Sequence, residues 1–164
     1  MQKAIWSLLV IALLAGSCLK KEGGCPYSSA NIVAPLSEQA AIEAYLSSNS
    51  ITATKHASGL YYEILKPGAD DSVHLCSQVQ VAYLGKLTNG STFDYSTNAM
   101  FTLGSLIEGW KKGLPLIKKG GKINLFIPPA LGYGYNDVKD QQSGAVIIPA
   151  GSVLIFEITL SNIH

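Results

Sequence analysis

The chain predicts an α+β fold, a curved antiparallel β-sheet wrapped around one short helix with a helical extension ahead of it, and three observations carry this. Val79-Gln80-Val81-Ala82-Tyr83-Leu84 has the two-residue alternation of a half-buried strand. Asn89-Gly90 follows, a pair that accepts the positive φ of a tight hairpin turn, and Thr92-Phe93-Asp94-Tyr95 resumes an extended pattern. Lys122–Ile127 and Val153–Leu160 read as two further strands, and only one short helix is readable between, from about Leu106 to Leu114. Trp110 on that helix is expected to face the sheet.

From the N-terminus, Lys3 supplies a positive end and Ala4 to Ala15 a mostly apolar run of secretory-leader length. The run is shorter than the roughly 20 apolar residues of a membrane-spanning helix. It closes on Leu14-Ala15-Gly16-Ser17-Cys18, which resembles a bacterial lipoprotein signal with Leu at the fourth rather than the third place before the cysteine. The resemblance implies removal of residues 1–17 and acylation of Cys18; a plain secretory leader with a free Cys18 is the alternative. Residues 18–36, rich in Gly, Ser and Pro, read as a tether. Ser37 then opens a helical extension over 37–58: Ser37 is placed to cap free amides, Ile42, Tyr45 and Leu46 share a face, and Asn49 with the Ser/Thr cluster after it ends the helix. The main domain runs over 59–164. Its first strand, Gly59 to Leu65, is closed by Pro67-Gly68, and Asp70 and Asp71 fall in the following turn as solvated residues.

Composition narrows the partners. There are 12 Lys and no Arg against 11 Asp plus Glu, and only Lys3 lies in the predicted leader. A near-neutral chain without the guanidinium fork that grips phosphates argues against nucleic-acid binding. His56, His74 and His164 stand singly and no Cys-x-x-Cys occurs, so no metal and no cofactor is expected. If Cys18 carries lipid, Cys25 and Cys76 remain. An oxidising compartment favours a disulfide between them, stabilising by about 4 kcal/mol on the chain-entropy model; two unrelated thiols is the other reading.

The motifs that carry chemistry lie in the second half. They are Val81-Ala82-Tyr83-Leu84-Gly85, Asn89-Gly90-Ser91-Thr92-Phe93-Asp94, Phe101-Thr102-Leu103-Gly104, Leu106-Ile107-Glu108-Gly109-Trp110, Ile127-Pro128-Pro129-Ala130-Leu131-Gly132-Tyr133-Gly134 and Ile147 through Glu157. In this order, from about Val73 to the C-terminus, the chain resembles the FKBP-type peptidyl-prolyl cis-trans isomerases. The resemblance implies a dry pocket with Trp110 as its floor, Tyr83, Phe93 and Phe156 as aromatic walls, and Leu106 and Ile107 as the aliphatic side. Phe101 and Ile148 join the substrate-binding set. The Ile107 amide is expected to bond a substrate carbonyl, the Tyr133 phenol to donate from the rim, and Asp94 to sit beside the reacting amide. Family members commonly carry His where Ala82 stands and Ser where Tyr95 stands, and Ala99 and Met100 leave one wall without a second aromatic. The polar loop from Tyr135 to Val146 is longer than in compact members and is expected to be flexible and beside the pocket mouth.

The function implied is isomerisation of Xaa-Pro bonds in exported proteins, in the bacterial envelope, by a lipid-anchored enzyme facing the periplasm or the exterior. A macrolide is a further expected ligand. Two other readings stay open: a non-catalytic holdase using the same pocket, and a scaffold that associates through the helix from Ser37 to Asn49. The oligomeric state is left open.

Overall fold

The computed structural model describes residues 24–164; the expected leader and Cys18 lie outside the described residues. Helix α1 (Leu36–Ser48) comes first. The strands are β1 (Thr54–Lys55), β2 (Tyr61–Lys66), β3 (Ala69–Ser72), β4 (Gln78–Leu87), β5 (Thr92–Thr102), β6 (Lys118–Lys119), β7 (Lys122–Ile127), β8 (Val138–Lys139), β9 (Val146–Ile148) and β10 (Leu154–Ile163). Helix α2 (Glu108–Gly113) stands between β5 and β6. Six strands form one antiparallel sheet in the order β1-β2-β7-β10-β4-β5, and two short pairs, β3 with β6 and β8 with β9, stand apart from it.

Register follows alternation. Leu125 and Ile127 of β7, Phe156 and Ile158 of β10, and Val79 and Val81 of β4 point to one side, where they enclose Trp110 and Leu114 in the main core. The intervening residues Tyr61 and Phe126 point to the other side, where Ile42 and Leu46 of α1 and Val153 close a second, smaller core. The single interior helix can lie close to β7 because Gly109 and Gly113 face it. A Cβ built at Gly109 would stand 2.6 Å from Ile127 Cδ1, and one at Gly113 2.6 Å from Leu125 Cδ1.

Several expectations are corrected. Helix α1 begins at Leu36 after Pro35, and Ser37 caps nothing; the Pro35 carbonyl accepts from the Glu38 and Gln39 amides instead. Its buried face carries Glu38 and Gln39 beside Ile42 and Leu46. Asn49 does end it, its side-chain amide donating to the Tyr45 carbonyl. Asp70 and Asp71 form β3 rather than a turn, with Asp70 at a φ of 64°. Strand β5 runs on to Thr102, because Ser96, Thr97 and Asn98 lie on an edge strand whose ladder to β4 continues past a bulge. Residues 54–55 of the expected helical extension add β1 to the sheet edge. The segment 135–146 is folded as well: β8 pairs with β9 around a turn in which Asp140 accepts from the Gln142 and Ser143 amides.

The described end of the expected tether, from residue 24, is held against the domain. Cys25 is bonded to Cys76, with Cα atoms 5.6 Å apart. The Tyr27 ring covers Gly104 so closely that a Cβ there would fall 2.2 Å from Tyr27 Cγ. The Ser29 hydroxyl and Ala30 amide donate to Glu108, and the Ala34 amide donates to the Ser58 carbonyl at 2.9 Å. Exposed main chain thus becomes a strap with a contact every few residues.

Candidate functional site

The inner core is left unfilled at one end. Tyr83, Asp94, Phe101, Leu106, Ile107, Trp110, Tyr133 and Phe156 line a cavity of about 150 Å³. Trp110, buried on α2, is its base, and three rings stand at right angles to the indole: Tyr83 at 5.4 Å and 85°, Phe156 at 5.3 Å and 87°, and Phe101 at 6.2 Å and 90°. Edge-to-face contacts place positive ring edges on negative faces and hold each ring's orientation. Rings held this way resist turning into the gap.

One side of the mouth is polar. The Tyr83 hydroxyl donates to Asp94 Oδ2 at 2.7 Å. Its pKa is pushed well above the ordinary phenol value, first by burial, then by its bond to the Asp94 carboxylate and the charge beside it, so Tyr83 stays a neutral donor. Burial and the Asp94 carboxylate raise Tyr133 as well. Among the described residues the Tyr133 hydroxyl has no protein partner, which leaves a neutral donor at the rim.

The other side is aliphatic main chain. Leu106 and Ile107 are extended, with φ/ψ of −89°/173° and −61°/154°, just before α2 begins. The Ile107 carbonyl accepts from the Trp110 and Lys111 amides, while its own amide has no acceptor among the described residues. It is one of the free amides that open a helix. The next residue, Glu108, is clamped by Lys111, Lys112, Ser29 and Ala30. Burial works to raise its carboxyl, but the Ser29 hydroxyl, Lys111 and the Ala30 amide outweigh it and hold the pKa below the usual range.

Of the residues singled out in the sequence, Tyr83, Asp94, Phe101, Leu106, Ile107, Trp110, Tyr133 and Phe156 meet around this cavity. Phe93 and Ile148 are not among its lining. Phe93 stacks edge-on behind Phe156 at 5.3 Å, and both rings crowd Gly85, where a Cβ would meet Phe93 Cζ at 2.7 Å. Ile148 is buried in the main core. Sequence reasoning missed Glu38 and the strap. Glu38 sits buried in the first turn of α1 and accepts from the Ala130 amide at 2.9 Å and the Tyr135 hydroxyl at 2.5 Å. An acidic residue in an exposed-looking first turn gives no sign of a partner more than ninety residues away.

Comparison with known proteins agrees with this geometry. The family described as FKBP-type peptidyl-prolyl cis-trans isomerase matches residues 70–161. A probable FKBP-type peptidyl-prolyl cis-trans isomerase of Haemophilus influenzae is 40% identical over 111 residues, covering 65% of this chain and 44% of the relative. FkpA of Escherichia coli is 37% identical over 111 residues, covering 65% of this chain and 38% of the relative. The chain therefore spans less than half the length of these curated relatives. The crystal structure of Escherichia coli FkpA superposes with a TM-score of 0.65 at 32% identity, over 78% of this chain and 60% of that one. A peptidyl-prolyl cis-trans isomerase from Pseudomonas syringae superposes equally well, with a TM-score of 0.65 at 29% identity, over 79% of this chain and 96% of that one.

Proposed function

The chain belongs to the FKBP-type peptidyl-prolyl cis-trans isomerase family, and from that premise we propose that its aromatic cavity binds prolyl segments of exported proteins and speeds rotation about Xaa-Pro bonds. The observation that carries the reading is the open cavity over Trp110, walled by Tyr83, Phe101 and Phe156 at right angles, with a neutral phenol pair and Asp94 at one lip and a free amide at the other.

The reaction asks for no nucleophile. Rotation meets a barrier of about 20 kcal/mol because amide resonance is lost at the twisted geometry. Water stabilises the charge-separated planar amide, and a cavity walled by rings withdraws part of that help. The proline ring is held over Trp110 while the preceding carbonyl turns. The Ile107 amide takes one substrate carbonyl, and Tyr133 donates from the rim. Contacts stronger for the twisted than for the planar amide lower the barrier; about 5 kcal/mol is several-thousand-fold in rate. Phe93 acts one layer back by fixing Phe156.

On this reading residues 59–164 form the isomerase domain, 37–58 a helical extension and 18–36 the segment that leads to it. The Cys25–Cys76 bond supports an oxidising compartment, and with a lipidated Cys18 the protein works on the bacterial envelope. A macrolide that fills the same cavity is a proposed inhibitor. The test is isomerisation of a short Xaa-Pro peptide by soluble protein beginning at Leu19, beside Asp94→Ala and Trp110→Ala. A drop of about tenfold in folded Asp94→Ala and a larger one in folded Trp110→Ala are expected. A folded protein with no acceleration overturns the reading, and suppressed aggregation of a proline-free client would then favour the holdase.

A further inference from the structure

Helix α1 is docked by Ile42 and Leu46 on Phe126, Tyr61 and Val153, a contact that needs no charge. Yet its first turn buries a carboxylate, which is costly unless its oxygens are fully bonded. Glu38 has no cation partner among the described ion pairs. Both of its recorded donors come from the far half of the chain: the Ala130 amide at 2.9 Å on Oε2, and the Tyr135 hydroxyl at 2.5 Å on Oε1.

These two donors flank Tyr133. Ala130 lies in the short 3₁₀ turn Pro129–Leu131 that leads to it, and Tyr135 lies just beyond it. The remaining bonds of this turn run through the Pro128 and Pro129 carbonyls, which accept from the Leu131, Gly132 and Gly134 amides. The Ala130 amide is the free donor of that turn's opening, and Glu38 takes it. Tyr135 reaches across to Gly151, whose amide donates to the Gly134 carbonyl at 2.9 Å. Among the described residues the Tyr133 side chain has no hydrogen bond of its own, so the position of its phenol is set by where this backbone is held.

We propose that Glu38 is a positioning residue that fixes the Tyr133 turn from both sides and thereby places the rim phenol over the cavity, an inference that rests on the isomerase reading for its effect on rate. The helical extension is on this account a working part of the site. Glu38 touches no substrate; it acts through Ala130, Tyr135 and the backbone between them.

The test uses the chain from Leu19 as five proteins: unmodified, Glu38→Ala, Tyr133→Phe, the double variant, and Glu38→Gln as the conservative change that keeps one acceptor. Two quantities are read, amide hydrogen exchange across residues 130–135 and kcat/KM on an Xaa-Pro peptide. Glu38→Ala is expected to speed exchange at Gly132 and Gly134 about tenfold while leaving the β10 amides unchanged. It is expected to lower kcat/KM about fivefold, with the double variant within about twofold of Tyr133→Phe alone, because both changes remove the same placed donor. Glu38→Gln should recover part of both effects, and serves alone if Glu38→Ala does not fold. Unchanged exchange at the turn overturns the proposal, as does a double variant whose losses simply add. If the unmodified protein has no isomerase activity, the functional reading fails, and the exchange measurement still decides whether Glu38 holds the turn.

Discussion

On the outer face of the sheet, Ile42 and Leu46 settle onto Tyr61, Phe126 and Val153 and bury all three. On the inner face β10 and β4 present Phe156 and Tyr83 to Trp110, and about 150 Å³ stays open. Both faces are apolar, so hydrophobicity does not separate them. The difference is the shape of the contacts. Outside, the branched Ile42 and Leu46 of α1 fill in against Phe126 and Tyr61; inside, rings stand at right angles around an indole, and Gly85 lets Phe93 and Phe156 lean together behind them. Close packing thus falls on one side of the sheet and the open cavity on the other.

That division can be broken by experiment. Two large effects on stability are expected, the first on the strap: reducing Cys25–Cys76 should cost about 4 kcal/mol on the chain-entropy model, read as a lowered guanidinium midpoint with dithiothreitol. Phe126→Ala on the closed face should cost about 3–5 kcal/mol of stability while kcat/KM of the folded protein stays within about twofold. A large drop in kcat/KM at constant fold would erase the distinction between the faces. Asp94→Ala should do the converse, lowering kcat/KM about tenfold, or 1.4 kcal/mol, with a change in urea midpoint no larger than that of an ordinary surface substitution.

The smallest effect is on pH. The folded-state pKa of Tyr83 is raised, so its contribution to stability is present in full below the unfolded phenol value near pH 10 and is lost as pH rises beyond it. Urea midpoints of the unmodified protein and Tyr83→Phe, compared at pH 8 and at pH 11, should therefore converge or cross at the higher pH. A constant difference would mean that the Asp94 bond does not depend on the phenol proton.

The pocket was legible because its chemistry sits in short motifs: Trp110 between glycines, Tyr133 after a proline turn, Phe156 on an alternating strand. Each announces itself within a few neighbours. Those motifs do not say which rings face the cavity, and Phe93 falls into the layer behind Phe156, because facing depends on the bulges in the β4–β5 ladder between Val81 and Tyr83 and at Gly85; Ile148, on β9, is taken up by the main core. The strap was read as a tether for a similar reason. Its residues carry no repeating pattern, and what fixes them is a distant disulfide, a bare Gly104 under Tyr27 and a carboxylate at Glu108. The β8–β9 hairpin was the one local feature within reach, since Asp140 and Ser143 ahead of Gly144 are turn chemistry.

A leash is only as long as the chain before its first fastening. The disulfide at Cys25 fastens this one seven residues after Cys18, and seven residues at full extension measure about 25 Å. With the proposed acyl chains at Cys18, the domain is held in a thin layer above the lipid, and the clients proposed for it would be chains still close to the membrane.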